Sequence, residues 1–161
     1  RNFKLFKYQF SINNTEPNRL MASVPGYFLR MFTYQKSLRR RLGDLRSFGS
    51  AGYELSMTAK GSTDYIVSSG PAVWDIAPGL LMVLEAGGSA LLQTRKTKNW
   101  EDFKSFSLES GLPPTPSELR SWKETLLLGR KATVDKISTG LYIKSYPWRN
   151  FKNKINSIIG R

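Results

Sequence analysis

Between residues 45 and 94 the chain alternates short apolar runs with helical patterns, and glycine or proline marks most changes. "LRSF" (45–48) reads as a short strand running into Gly49-Ser50. Ala51, Leu55 and Ala59 then fall at i, i+4 and i+8, one face of a helix, with Gly61 placed to close it. "TDYIVSS" (63–69) reads as a strand turned by Gly70-Pro71. The next run, "VWDIAPGLLMVLEAGG" (73–88), is a helix apolar nearly all round through Ile76, Ala77, Leu80, Leu81, Val83 and Leu84, and is expected to lie buried between layers. Gly87 and Gly88 let it stop and turn into a strand, "SALLQT" (89–94). Strand, helix, strand, helix, strand is the order of a layered α/β fold.

The flanks are read the same way. "NFKLFKYQF" (2–10) has the mixture of a strand, and "SINNTEPN" (11–18) that of a loop. "RLMASV" (19–24) is a short buried strand stopped by Pro25-Gly26. Residues 27–42 suggest one helix with Phe28, Phe32 and Leu38 inward, its terminal "RRR" (39–41) facing the negative end of the helix dipole. Residues 95–121 are charged, then rich in Pro, Gly and Ser, and read as a surface insert with one helical turn. "ETLLLG" (124–129) is a buried strand and "KATVDKISTGL" (131–141) a helix. The domain therefore spans 1–141, with its core at 19–94 and 124–138. A basic tail (142–161) follows, with Phe151, Ile155, Ile158 and Ile159 on one helical stripe, most simply docked on the domain.

Several chemistries are excluded at once. The 161 residues contain neither cysteine nor histidine, which removes disulfides, thiolate nucleophiles, Cys/His zinc sites and a Ser-His-Asp triad. Any metal must be held by oxygen, which favours magnesium, calcium or manganese. No apolar run reaches membrane-spanning length and the start lacks a secretory signal's core, so a soluble, cytoplasmic or organellar protein is expected. Arg1 stands where an initiator Met would, as in a fragment or processed product. The net charge of +13 is uneven: residues 1–48 carry 10 Lys/Arg against 2 Asp/Glu, residues 49–94 carry 1 against 4, and residues 95–161 carry 14 against 6. Basic flanks attract polyanions, and equally serve as solvated surface.

Two places carry candidate chemistry. Asp75 is a lone carboxylate at a helix start, a position where an acid ordinarily caps or offsets the dipole. Here the helix is apolar and Trp74 precedes it, so a rigid ring would aim the carboxylate into a crevice, as a hard cation requires. Gly49, Ser50 and Ala51 form a small-residue entry to a helix, whose outward N–H groups suit an anion or hydroxyl; ordinary capping by Ser50 explains it as well.

In combination, "RSFGSA" (46–51), G-x-x-D (61–64), "WDIAPG" (74–79) and "LEAGG" (84–88) resemble the C-terminal part of the inositol monophosphatase family, in its order and spacing. These are magnesium-dependent phosphatases. "ETLLLGRKATVDKIS" (124–138) and "RLMASVPGYF" (19–28) extend the likeness. The resemblance implies a mixed, mostly parallel sheet flanked by helices, as in the C-terminal subdomain of the sugar-phosphatase fold. It implies that Asp75 ligates a catalytic Mg²⁺, that Gly49, Ser50 and Ala51 line the substrate pocket, and that Glu85 is structural. Ser68 stands where inositol-specific members have a glutamate that binds sugar hydroxyls, and a neutral hydroxyl is a weaker acceptor.

The family's other metal-binding motifs, of the "GDExE" and "DPxDGT" kinds, do not occur in the chain. One carboxylate does not hold magnesium against water, so the chain alone is expected to be inactive, with no residue of its own assigned as catalytic. Two readings stay open. In one, the chain is part of a hydrolase of small phosphate monoesters whose N-terminal half lies outside it. In the other it is a non-catalytic basic assembly subunit of a larger complex, with "FKLFKY" and "YPWRNFKNK" suited to RNA or phosphate backbones. With the N-terminal half absent from the chain, the sheet is expected to leave an apolar face uncovered and so to contact another chain or segment.

Overall fold

Thirteen short elements build the computed structural model, which describes residues 11–12, 17–94, 99–107 and 112–144. In chain order they are β1 (Met21–Ser23), α1 (Phe28–Met31), β2 (Phe32–Tyr34), β3 (Asp44–Arg46), α2 (Ala51–Ala59), β4 (Tyr65–Ser69), α3 (Val73–Glu85), β5 (Ser89–Gln93), β6 (Glu101–Asp102), α4 (Pro116–Ser121), β7 (Thr125–Gly129), α5 (Lys131–Ser138) and β8 (Leu141–Ile143). The strand read at 2–10 and the tail helix fall outside the described residues.

The main sheet has the order β3-β1-β4-β7-β5-β6. β1 pairs in parallel with β3 and β4, while β7 runs antiparallel to both β4 and β5, and β6 antiparallel to β5. Four strands (β3, β1, β4 and β5) therefore point one way, giving the mixed, mostly parallel sheet that was expected. Tyr65–Val67 of β4 and Leu126–Leu128 of β7 are continuous apolar runs because both faces are covered. Ile66, Leu126, Leu128 and Ala90 point to the side holding α2 and α3, where Leu55, Ile76, Leu80 and Val83 meet them. The alternate residues Tyr65, Val67, Leu127 and Leu91 point to the other side, onto Val134 and Ile137 of α5 and onto Phe28, Phe32 and Leu141. The period of two along each strand thus sorts the core into two clusters.

α2 and α3 approach unusually closely. A Cβ on Gly79 would lie 2.4 Å from Cβ of Leu55, so glycine is what lets the two helices touch.

The helix expected over 27–42 does not form. Only Phe28–Met31 is helical; Phe32–Tyr34 is a strand paired antiparallel with β8, and a single 3₁₀ turn occupies Lys36–Leu38. Phe28 and Phe32 suit one helical face, but Leu38, six residues on from Phe32, falls to one side of it. The β-branched and aromatic Thr33 and Tyr34 favour the strand once β8 is available. All three apolar residues are nonetheless buried together.

α3 also departs from expectation. Val73, Ile76, Leu80 and Val83 are buried, whereas Trp74 is 64% exposed, Leu81 59% and Leu84 39%. Among the described residues the helix is covered on one side only, and its outer stripe is largely apolar. In the charged stretch after β5, Glu101–Asp102 adds an edge strand. Phe103 and Phe106 pack with Trp122 against the α2–α3 side, and Thr115 and Glu118 close α4 with a reciprocal capping box.

Candidate functional site

α2 connects β3 to β4, and α3 connects β4 to β5. Since β3, β4 and β5 point the same way, both helices run back along the sheet and start at the carboxyl ends of these strands. In open α/β sheets this is the end at which ligands bind. Ser68 lies at the carboxyl end of β4 and shares the face of Ile66, the face covered by α2 and α3. Gly49, Ser50 and Ala51 lie at the start of α2, and Asp75 in the first turn of α3. The fold thus brings all five candidate residues to one corner.

Their individual settings refine the sequence expectation. Gly49 has φ +77, a left-handed conformation that glycine adopts without strain, and it turns the chain from β3 into α2. Ser50 is the N-cap residue, exposed, and makes no side-chain capping bond. The N–H groups of Phe48 and Gly49 do not face an open site: both donate to Oε1 of Glu54, at 3.0 Å each. A carboxylate there would oppose an anion, so the donors left for a ligand are the Ser50 hydroxyl and the first N–H groups of α2.

Asp75 is exposed. Its backbone N–H donates to Ala72 O at 3.1 Å, and its carboxylate has no hydrogen-bond or ion-pair partner among the described residues. Capping does not explain it, because the helix start shows no side-chain cap bond. Nor does Trp74 hold it in a crevice, since that ring is turned outward on the uncovered stripe.

Other residues lie at the same end of the sheet. The phenol of Tyr27, in the loop after β1, donates to Ser69 O at 3.1 Å and ties that loop to the end of β4. Ser69 Oγ and Thr125 Oγ1 lie 3.1 Å apart across β4 and β7. Beside them, a largely apolar recess of about 720 Å³ opens between the ends of β1 and β3, with Tyr27, Leu45 and Arg46 among its walls.

At the opposite end of β4, Asp64 is fully engaged. Oδ2 accepts the Met21 N–H at 2.7 Å, and Oδ1 accepts Nη2 of the buried Arg130 at 3.1 Å. The neighbouring Tyr65 phenol donates to Leu42 O at 2.7 Å; burial first, and the Asp64 charge second, push its pKa far up, so it stays a neutral donor. The G-x-x-D aspartate is therefore structural.

A magnesium site requires several oxygens around one point. Among the described residues no three acidic side chains come together. Glu54 and Asp64 are committed to protein donors, while the Asp75 carboxylate has no partner among the described residues. The residues present do not amount to a metal site.

Residues 17–125 match the sequence profile described as the inositol monophosphatase family. The chain belongs to the inositol monophosphatase family. Among its relatives, inositol-1-monophosphatase SuhB of Mycobacterium tuberculosis is 45% identical over 79 residues, covering 47% of this chain and 27% of that protein. Inositol-1-monophosphatase of Bacillus subtilis is 34% identical over 94 residues, covering 58% and 34%. The structure of the Thermotoga maritima IMPase superposes on 83% of this chain and 45% of its own, with a TM-score of 0.52 and 20% identity, a likeness that bears on the fold alone. The chain thus spans less than half of each of these relatives. Among the described residues no helix is long and apolar enough to cross a membrane.

Proposed function

We propose that the chain is one half of a magnesium-dependent hydrolase of small phosphate monoesters, inactive by itself, whose site is completed by polypeptide outside these 161 residues. The observation that carries this reading is Asp75: an exposed carboxylate without a partner, at the ligand-binding end of the sheet, in a family whose phosphatases in general use magnesium. Asp75 would supply one metal ligand. Ser50 and Ser68 would offer neutral hydroxyls to the substrate. With serine rather than a carboxylate at position 68, a substrate other than inositol phosphate is favoured. The other carboxylates and the attacking water would belong to the completing polypeptide, the N-terminal half of the family fold. That half would also cover the apolar outer stripe of α3, which begins beside Asp75 at Trp74 and continues to Leu81 and Leu84.

The test is release of phosphate from a panel of monoesters with and without magnesium. The 161-residue chain alone should release none. The longer protein or complex containing it should be active, and Asp75→Asn should abolish that activity. An inactive complete protein, or one indifferent to Asp75→Asn, would overturn the reading. A second reading, a non-catalytic assembly module on the same fold, is favoured by a group of cations at 36–41 that have no ion-pair partner among the described residues.

A further inference from the structure

The segment at 36–41, "KSLRRR", places four cations within six residues. A long helix ending there would account for them through its dipole, but only a 3₁₀ turn of three residues is present. Lys36, Arg39, Arg40 and Arg41 are all exposed. None has an ion-pair or hydrogen-bond partner for its side chain among the described residues, whereas Arg19, Arg130 and Lys131 each find an aspartate. Between Arg19 and Asp44 there is no acidic residue at all, and Asp44 is taken by Arg19.

The cations are held on a firm turn. Leu38 and Leu42 are buried, one inside the cluster and one just after it. Backbone bonds run from Leu38 N to Gln35 O, from Arg39 N to Lys36 O and from Arg41 N to Leu38 O. The Tyr65 phenol holds Leu42 O at 2.7 Å. The turn encloses a concavity of about 610 Å³ lined by Lys36, Ser37, Arg39, Arg40 and Arg41, with no acidic or apolar side chain in its wall. Like charges fixed side by side repel one another, and a partner carrying several regularly spaced negative charges relieves that repulsion.

We propose that this turn docks the phosphate backbone of a nucleic acid. A single phosphate would neutralise only part of the cluster. An anionic membrane is disfavoured because lasting attachment adds apolar insertion to basic charge, and the leucines of this turn are buried. Contact with phosphates alone predicts no preference for RNA over DNA.

The experiment uses the 161-residue chain and fluorescein-labelled 20-nucleotide single strands of RNA and DNA, with binding read by anisotropy across a salt series. Arg39→Gln/Arg40→Gln/Arg41→Gln should weaken binding to both strands at least about tenfold at low salt. It should also flatten log K against log salt by about 2, three phosphate contacts at roughly 0.7 each. A charge-matched control, Lys60→Gln/Lys104→Gln/Arg120→Gln, removes three exposed cations elsewhere and should lose less than about threefold. Urea midpoints should be unchanged in both. The proposal is overturned if the wild-type chain does not bind at low salt, if the control loses as much as the cluster variant, or if the cluster variant binds oligonucleotides normally while losing phosphatidylserine vesicles.

Discussion

At the amino end of β4, the Asp64 carboxylate takes one N–H from β1 and one from the guanidinium of Arg130, and both charged groups are buried. At the carboxyl end, Asp75 is exposed with neither oxygen bonded among the described residues, beside a helix start whose serine does not cap. The same side chain type does opposite work at the two ends. Where its partners are internal, a carboxylate joins strands; where they are absent, it is available to something outside the chain. The comparison implies that substitutions at the amino end cost stability, and that those at the carboxyl end cost stability little.

Arg130→Ala should break this contrast most strongly. It leaves Asp64 charged, buried and half-paired, a situation that costs about 3–5 kcal/mol. Urea denaturation of the chain should show that loss. Replacing both partners, as Asp64→Leu/Arg130→Met, should cost less than Arg130→Ala, because a buried pair often gives way to apolar packing without loss. It should not be neutral, since the Met21 N–H loses its acceptor, worth about 1–3 kcal/mol. A double variant less stable than Arg130→Ala would show that the pair itself stabilises the fold.

Between the two ends lies the contact that sets both helix starts. Gly79→Ala would put a Cβ 2.4 Å from Leu55 Cβ, an atom next to the backbone that cannot swing aside. α2 and α3 must then separate, at about 1–3 kcal/mol. If the corner depends on this crossing, the complete protein should also lose activity at temperatures where Gly79→Ala is still folded. Retained activity would mean the corner is positioned by the strands alone.

Much of this was legible beforehand, for physical reasons. α2, β4, α3 and β5 follow one another with glycine or proline stops, and their apolar periods are local properties of the sequence. Gly49 and Asp75, picked out by their motifs, and Ser68, picked out as a departure from the family pattern, lie at the same end of the sheet, the carboxyl end of its parallel strands. Pairings between distant segments left no local trace. Phe32 joins Ile143 in the small sheet, and without that partner residues 27–42 look helical. The pairing of Arg130 with Asp64, 66 residues earlier, is likewise invisible until β7 lies beside β4. The outer stripe of α3 misled differently: apolar residues state that a face is to be covered, and not whether this chain does the covering.

At the carboxyl end the expected effects are smaller. Glu54→Gln replaces the charged acceptor of two backbone N–H groups with a neutral one, in a half-exposed setting. It should cost about 1 kcal/mol or less. Its clearer consequence is local: amide exchange at Phe48 and Gly49 should speed up while the sheet's amides keep their protection. Global loosening would show that Glu54 supports the fold rather than only the turn.

Asp75→Asn should have the smallest effect on stability. The carboxylate has no partner among the described residues, so removal of its charge forfeits only its interaction with the start of α3, about 0.3–1 kcal/mol and screened by salt. The urea midpoint should barely move, and adding magnesium to the wild-type chain should not raise it, because one carboxylate does not hold the ion. A magnesium-dependent rise that vanishes in Asp75→Asn would mean that this chain already assembles a site. Its absence, together with loss of activity in the complete protein, would separate the two ends of β4 fully: Asp64 holds the sheet together, and Asp75 serves a site this chain does not finish.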